Sequence, residues 1–381
     1  MNTIEGRSLD NKKIGKVVII TGQSGVSKKP YLDQVIKQTY ISQEKRKEIE
    51  LFDIGDLMYK EAEKAGGKIQ PGRILNLSLL RLTGMRRSVF KDVIHYHEKY
   101  PQKNILINTH SCFRWQYGLF SAFDFDLIQK LNPDVYVTLI DNVDAIFLRL
   151  KQNEEPDVKE YSLKDILVWR EEEMITTEMI ASAQRKPFYI IPRNNPIDTI
   201  YKLIFHDHLK KTYLSFPITK VRDKPDVIKE IDDFKKKMAE LLIIFDPITI
   251  TEKRLLLINE EDIKTGSISI ETLGKEVEFK VSEVKSIAND IDGQIILRDF
   301  RLIDQSDMII AFIPEVDNRP DISAGVQTEM HYAHDLPREV YVIWESKSEP
   351  SVWVEQMATK VFRGEKAFED CISYFRNVRY I

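Results

Sequence analysis

Cysteine is almost missing from this chain: its 381 residues hold two, Cys112 and Cys371, far apart in sequence. They make no metal-ligand spacing and no disulfide scaffold, and such usage fits a reducing cytosol. No apolar run approaches the length of a membrane span, and the first residues lack the apolar core of a secretory signal. A cytoplasmic protein with no membrane partner is therefore expected. Surplus charge is missing too. Lys and Arg number 56 against 60 Asp and Glu, a net charge of −4, which gives no overall attraction for nucleic acid. Internal repeats and low-complexity tracts are absent. What is present is 43% hydrophobic and 30% charged residues, the composition of a globular protein with ample core and room for two domains.

The most informative stretch runs from Gln294 to Trp344. Three short apolar runs, residues 295–297, 308–313 and 340–344, are rich in Ile and Val and read as buried parallel strands. Between the second and third, residues 325–334 carry Val326, Met330 and Ala333 at helical spacing. Strand, loop, helix and strand form the unit of an open α/β sheet, whose ligands sit at the carboxyl ends of the strands. On this reading Asp299 follows one strand end and Glu329 lies about one turn into the helix after the next. Two carboxylates from adjacent connections would face one crevice.

The pattern R-D-x-x-L-I-x-x-S-D (from Arg298), an apolar strand, then S-x-G-V-x-x-E-x-x-Y-A (from Ser323) resembles the nucleoside 2-deoxyribosyltransferase family. It is similar above all to the family's nucleotide branch, the 2'-deoxynucleoside 5'-phosphate N-hydrolases. The resemblance implies that Glu329 is the nucleophile at the anomeric carbon and Asp299 a second active-site carboxylate. It also implies that Tyr213, on a first strand spanning residues 211–219, orients Glu329. Ser323 stands where nucleoside transferases carry a sugar-holding Asp. A hydroxyl with nearby backbone N–H groups suits a 5'-phosphate that a carboxylate would repel, which points to a nucleotide substrate. Gly325, Arg298 and Ser351 complete the expected substrate and phosphate contacts, although Ser351 also reads as an ordinary turn residue. Family members commonly complete their sites across subunits, so a homo-oligomer is expected by analogy.

Near the start, residues 16–30 (KVVIITGQSGVSKKP) read as a buried strand, a glycine turn and a helix start. A P-loop has this layout: backbone N–H groups cradle phosphate, a Lys reaches the outer phosphates, and a Ser/Thr hydroxyl holds Mg²⁺. Gly22, Gly25 and Lys28 occupy their places, Ser27 stands where the second motif glycine belongs, and Lys29 replaces the hydroxyl. With LFDIGD, ILINTH and NPDVYVTLID following in order, residues 16–205 resemble an archaeal-type adenylate kinase, a nucleoside monophosphate kinase. That family has an acid where this chain has Asn108. Losing both metal-handling groups implies a degenerate kinase domain that binds ATP or another nucleotide with little turnover. Arg149, Arg170 and Arg185 fall in the lid region, about residues 150–186. His110 reads as packing under the loop, and Asp307 as the end of a helix or turn.

The expected architecture is thus two α/β domains after an arm (1–15). A P-loop kinase-like parallel sheet (16–209) precedes a Rossmann-like, flavodoxin-like deoxyribosyltransferase domain (210–381). Residues 252–284 give no assignment. The leading expectation is an N-glycosidase acting on a (deoxy)nucleoside 5'-monophosphate through a glycosyl-enzyme intermediate, with no metal or cofactor required at that site. Base exchange by a transferase, a non-catalytic nucleotide-binding regulator and a live kinase are the alternatives.

Overall fold

The computed structural model describes residues 15–41, 48–64, 66, 69, 74, 77–115, 118–152, 161–217, 221, 224–316 and 319–378. Nearly all of the expected arm, residues 153–160 of the expected lid and the end of the 211–219 strand lie outside the described residues. Two five-stranded parallel sheets organise the chain. The first contains β1 (Val17–Thr21), β2 (Ile49–Asp53), β3 (Asn104–Asn108), β4 (Val135–Ile140) and β5 (Phe188–Pro192), in the order β2-β3-β1-β4-β5. The second contains β6 (Lys211–Ser215), β7 (Ile243–Phe245), β8 (Met308–Ile313), β9 (Glu339–Trp344) and β10 (Lys360–Arg363), in the order β10-β9-β8-β6-β7. Counted from its own first strand, that order is the flavodoxin-like 2-1-3-4-5. The fold is two-domain α/β.

The central strands VVIIT, VYVTLI and MIIAFI are buried at every position, as parallel strands covered by helices on both faces must be. Helices cover them: α1 (Lys28–Ile41) and α2 (Leu163–Ala183) in the first half, α3 (Pro225–Leu241), α4 (Ala288–Asp304) and α5 (Ala324–Asp335) in the second.

One expected strand is wrong. Residues 295–297 form the middle of α4, not a strand, and Ile296 and Leu297 are 57% and 44% exposed. The buried positions of α4 are Ile291, Arg298, Leu302 and Ile303, a helical stripe that the three-residue run Ile295-Ile296-Leu297 hides. Asp299 therefore projects from a helix that precedes β8, not from a strand end. Residues 252–284, unassigned from sequence, contain a 3₁₀ turn (Glu252–Leu256), a short helix (Glu260–Thr265) and an antiparallel hairpin, Ser267–Thr272 with Lys275–Lys280. Leu273 and Gly274 have φ of 52° and 75°, the doubly left-handed backbone of a tight hairpin turn.

The two halves share buried chemistry. Arg170 on α2 is buried and its guanidinium spans both oxygens of the fully buried Glu252. It also donates to Gln294 on α4 at 2.6 Å and to the Asp141 carbonyl at 3.1 Å. Glu252 further accepts the Val143 N–H at 2.9 Å. One of the three arginines of the expected lid region is thus spent on the second domain. Arg149 likewise holds Asp141 at 2.7 Å and the Gly25 carbonyl at 2.8 Å. Nearby, the Gln305 side chain binds both the N–H and the C=O of Ile190 on β5, closing the edge of the first sheet. Phe147 against Phe279 and Tyr189 against Phe245 continue the seam with aromatic contact.

Removing one member of a buried pair strands the other charge. Arg170→Ala is expected to cost about 3–5 kcal/mol in thermal or urea unfolding, whereas the paired change Arg170→Met with Glu252→Leu costs less than the single one.

Candidate functional site

Tyr213 and Ser215 are two residues apart on β6, so their hydroxyls leave the same face of the strand. β6 lies beside β8 where the strand order reverses, the place where open α/β sheets bind ligands. The loop after β8 leads to Ser323, whose Oγ caps α5 by accepting the Val326 N–H at 3.2 Å. Further along α5, Glu329 points back at β6. Its Oε1 accepts the Tyr213 hydroxyl at 2.9 Å, and its Oε2 accepts the Ser215 hydroxyl. Burial pushes the Glu329 carboxyl up to about 7; Ser215 and Tyr213 oppose the rise, while the neighbouring Asp299 adds to it. Burial and the Glu329 carboxylate hold the Tyr213 hydroxyl well above its ordinary value.

Asp299 and Arg298 enter from α4. Arg298 donates to one Asp299 oxygen through Nε (3.1 Å) and Nη2 (2.9 Å), and its buried Nη1 has no partner among the described residues. Burial raises the Asp299 carboxyl despite this guanidinium. The structure brings Tyr213, Asp299 and Glu329 together and adds Ser215, which the sequence reading missed. Its signal was present: the second residue after Tyr213 on a strand shares its face. Gly325 is exposed, and a Cβ there would meet only the Ser323 Oγ, at 3.9 Å. Ser351 is an exposed cap on the helix Val352–Met357, with its Oγ accepting the Val354 N–H at 3.4 Å.

The first sheet forms a second site. Gly22 (φ 141°) and Gly25 (φ 85°) are both required by close packing. A Cβ on Gly22 would sit 2.6 Å from the Leu139 carbonyl oxygen, and one on Gly25 would sit 2.9 Å from Ile146. Ser27 takes the motif glycine's left-handed backbone with φ of 58°, a conformation that costs a non-glycine residue about 1–2 kcal/mol. A buried carboxylate braces the loop: Glu173 on α2 accepts the N–H groups of Gly22 (3.0 Å), Ser111 (3.0 Å) and Cys112 (2.9 Å). Burial alone would raise its carboxyl, but His110, Lys28 and the Cys112 amide outweigh burial and hold it down. Nothing in the charged run around Glu173 marks that role in the sequence. The Lys28 ammonium donates to the Gly22 carbonyl and lies 3.2 Å from His110 Nε2; burial lowers it to about 8, against the pull of Glu173 and Asp53. His110 is pushed down to about 4 by burial and by Lys28, so it is neutral at pH 7.

A cavity of about 330 Å³ opens under this loop, lined by Lys28, Lys29, Asp53, Arg86, Asn108 and His110 on its polar side. Ile54, Met58, Leu82 and Phe113 are among its apolar walls. Lys29, in place of the metal-binding hydroxyl, is ion-paired with Asp56, and Asn108 donates from Nδ2 to Asp53 at 2.7 Å. A cation and an amide stand where a P-loop handles Mg²⁺, so these residues do not fit that metal.

The first half is thus a P-loop, kinase-like domain, and comparison with known proteins agrees. Residues 21–166 match the family model described as "AAA domain". The adenylate kinase of Pyrococcus abyssi is 29% identical over 123 residues, which cover 32% of this chain and 58% of that protein. The chain therefore spans a little over half the length of such relatives. Among solved structures, shikimate kinase from Bacteroides thetaiotaomicron is 12% identical, covering 49% of this chain and 97% of that one with a TM-score of 0.32. A 2-deoxyribosyltransferase from Bacillus psychrosaccharolyticus is 14% identical, covering 43% of this chain and 91% of that one with a TM-score of 0.27. Similarity at that level says nothing of activity, and the sheet orders given above carry the fold.

A raised carboxyl has a thermodynamic signature. Between the ordinary Glu value of 4.5 and about 7, the folded state holds the Glu329 proton that the unfolded state has lost. The contribution of Glu329 to stability therefore falls as pH rises through that window. Glu329→Gln removes this dependence. Its melting temperature is expected to exceed wild type by about 2 °C or more at pH 8, with the difference vanishing near pH 4.5.

Proposed function

We propose that the second domain is a nucleotide N-glycosidase, hydrolysing the base–sugar bond of a (deoxy)nucleoside 5'-monophosphate. The observation that carries this reading is the Glu329 carboxylate, held between the Tyr213 and Ser215 hydroxyls at the switch point of the sheet with Asp299 beside it. Retaining cleavage of a glycosidic bond takes one carboxylate as nucleophile and a second group to help the leaving group depart. Two hydroxyl donors fix the orientation of Glu329, leaving its remaining lone pairs for the anomeric carbon. The carboxylate displaces the base and forms a glycosyl ester. Water then cleaves the ester and returns the free carboxylate with a sugar phosphate. Asp299, buried beside Glu329 and held by Arg298, is placed to assist departure of the base or to position it. At the N-terminus of α5, the Ser323 hydroxyl retains a proton to donate, and Gly325 leaves room for a 5'-phosphate. The first domain, in this reading, binds a nucleotide at Gly22–Lys29 and phosphorylates little, because its metal-handling groups are replaced.

The test is base release from a panel of ribo- and deoxyribonucleoside monophosphates without acceptor base, followed by chromatography. Free base and sugar 5-phosphate are expected from wild type, with Glu329→Ala reducing release by about 10⁴-fold or more. If a nucleoside and a free base exchange while no monophosphate is hydrolysed, the protein is a transferase. Silence in both assays would refute glycosidic chemistry altogether.

The active form needs an ionised Glu329. In the free protein kcat/KM is therefore expected to rise with pH through about 7. Tyr213→Phe and Ser215→Ala are each expected to lower kcat by about 10- to 100-fold through loss of orientation, with little change in KM.

A further inference from the structure

The cavity under the P-loop holds a cation without a counter-charge. Lys28, Lys29 and Arg86 line it, with His110 neutral; Lys29 pairs with Asp56 and Lys28 faces Glu173 and Asp53, which leaves Arg86. Arg86 is buried at 5% exposure, between the rings of Phe113 (5.2 Å) and Phe120 (5.4 Å). Its only hydrogen bond among the described residues is a long one, 3.5 Å from Nη1 to the Ser121 carbonyl, and no carboxylate there pairs with it. A buried guanidinium without a counter-charge is costly unless a ligand supplies one. Two residues of the same cavity wall, Gln23 and Asn108, each bury a side-chain oxygen with no partner among the described residues. Gln23 and Asn108 use their amide nitrogens on the Ile166 carbonyl and on Asp53, so their oxygens can pair only with a donor, such as a base N–H or sugar O–H, and not with a phosphate oxygen. The cavity, at about 330 Å³, is within the range of small-molecule sites, roughly 300–1,000 Å³, and its apolar walls suit a flat organic body.

The usual neutralising cation does not fit. Among the described residues no group of three or more His, Cys, Asp and Glu is arranged to hold a metal. The position that would offer a hydroxyl carries the Lys29 ammonium, half-exposed and paired with an equally exposed Asp56. Such a surface pair contributes about 0–1 kcal/mol, so Lys29 can exchange Asp56 for a phosphate oxygen at little cost. Lys28 and Lys29 are adjacent at the start of α1, where the loop's N–H groups and the helix dipole also favour an anion.

We propose that this cavity binds a nucleoside polyphosphate without a divalent cation, with Lys29 supplying the positive charge that the metal supplies in an ordinary P-loop. The proposal rests on the reading of the first domain as nucleotide-binding and adds to it the mode of binding. It also accounts for the replaced groups: the loop is altered toward holding phosphate, not toward transferring it.

Equilibrium binding of ATP to the full chain, measured with EDTA and again with Mg²⁺, tests this. Wild type is expected to bind equally well, within about twofold, in both conditions. Lys29→Ser restores the hydroxyl; it is expected to bind about tenfold or more weakly in EDTA and to recover when Mg²⁺ is added. Lys29 is half-exposed, so the variant is expected to melt with wild type, and thermal unfolding checks this. Wild-type binding that requires Mg²⁺ would overturn the metal-free mode while leaving the domain a nucleotide binder. Metal-independent binding equally strong in Lys29→Ser would overturn the role of Lys29. If ATP does not bind under either condition, both the proposal and the nucleotide-binding reading fall.

Discussion

A buried arginine facing a buried glutamate is the constraint on which the rest of this molecule depends. Arg170 and Glu252 come from opposite halves of the chain, and neither has water to fall back on. Charges so placed are tolerated only when every partner arrives together. The Val143 N–H, the Asp141 carbonyl and Gln294 complete the set, so the two sheets meet in one arrangement. Helix α2 carries that arrangement. Three residues from Arg170, the same helix presents Glu173 to the amides of the P-loop, while α4, which Arg170 touches through Gln294, presents Asp299 to the other site. One pair of abutting helices thus serves both crevices.

The two glutamates at those crevices show how surroundings decide the chemistry of one side chain. Glu173 has His110, the Lys28 ammonium and the Cys112 amide beside it, which outweigh the burial penalty and keep it a carboxylate. It is a brace. Glu329 has two hydroxyls and a second carboxyl nearby, which do not outweigh burial, so its proton is held to about neutral pH. A group poised in that way suits chemistry. The same contrast separates Lys28, lowered by burial, from Lys29, raised mainly by its hydrogen bond to Asp56.

Much of the scaffold could be read from residue order. Strands such as VVIIT and MIIAFI, the helix between Ser323 and Asp335, and the glycine turn at Gly22 are local features with local causes. The failures have causes too. Residues 295–297 are three consecutive apolar residues, a run too short to tell strand from helix, and burial of the stripe Ile291, Arg298 and Leu302 settled the matter. The hairpin around Leu273-Gly274 went unassigned, because its alternating strands carry charged residues at their exposed positions. Arg170 lies in a charged stretch that suggested a lid, and only the second domain gives its guanidinium a partner.

The sequence alone determined the α/β class, the positions of most central strands and the residue types of both sites. Those follow from hydrophobic periodicity, glycine geometry and spacing along a single segment. Tertiary structure alone decided which groups meet: Tyr213 and Ser215 with Glu329, Glu173 with the loop at Gly22, and Arg170 with Glu252. Those partners lie between 82 and 151 positions apart, and no local rule relates them. Their protonation is decided there as well, because burial exists only once the sheets have closed over the side chains.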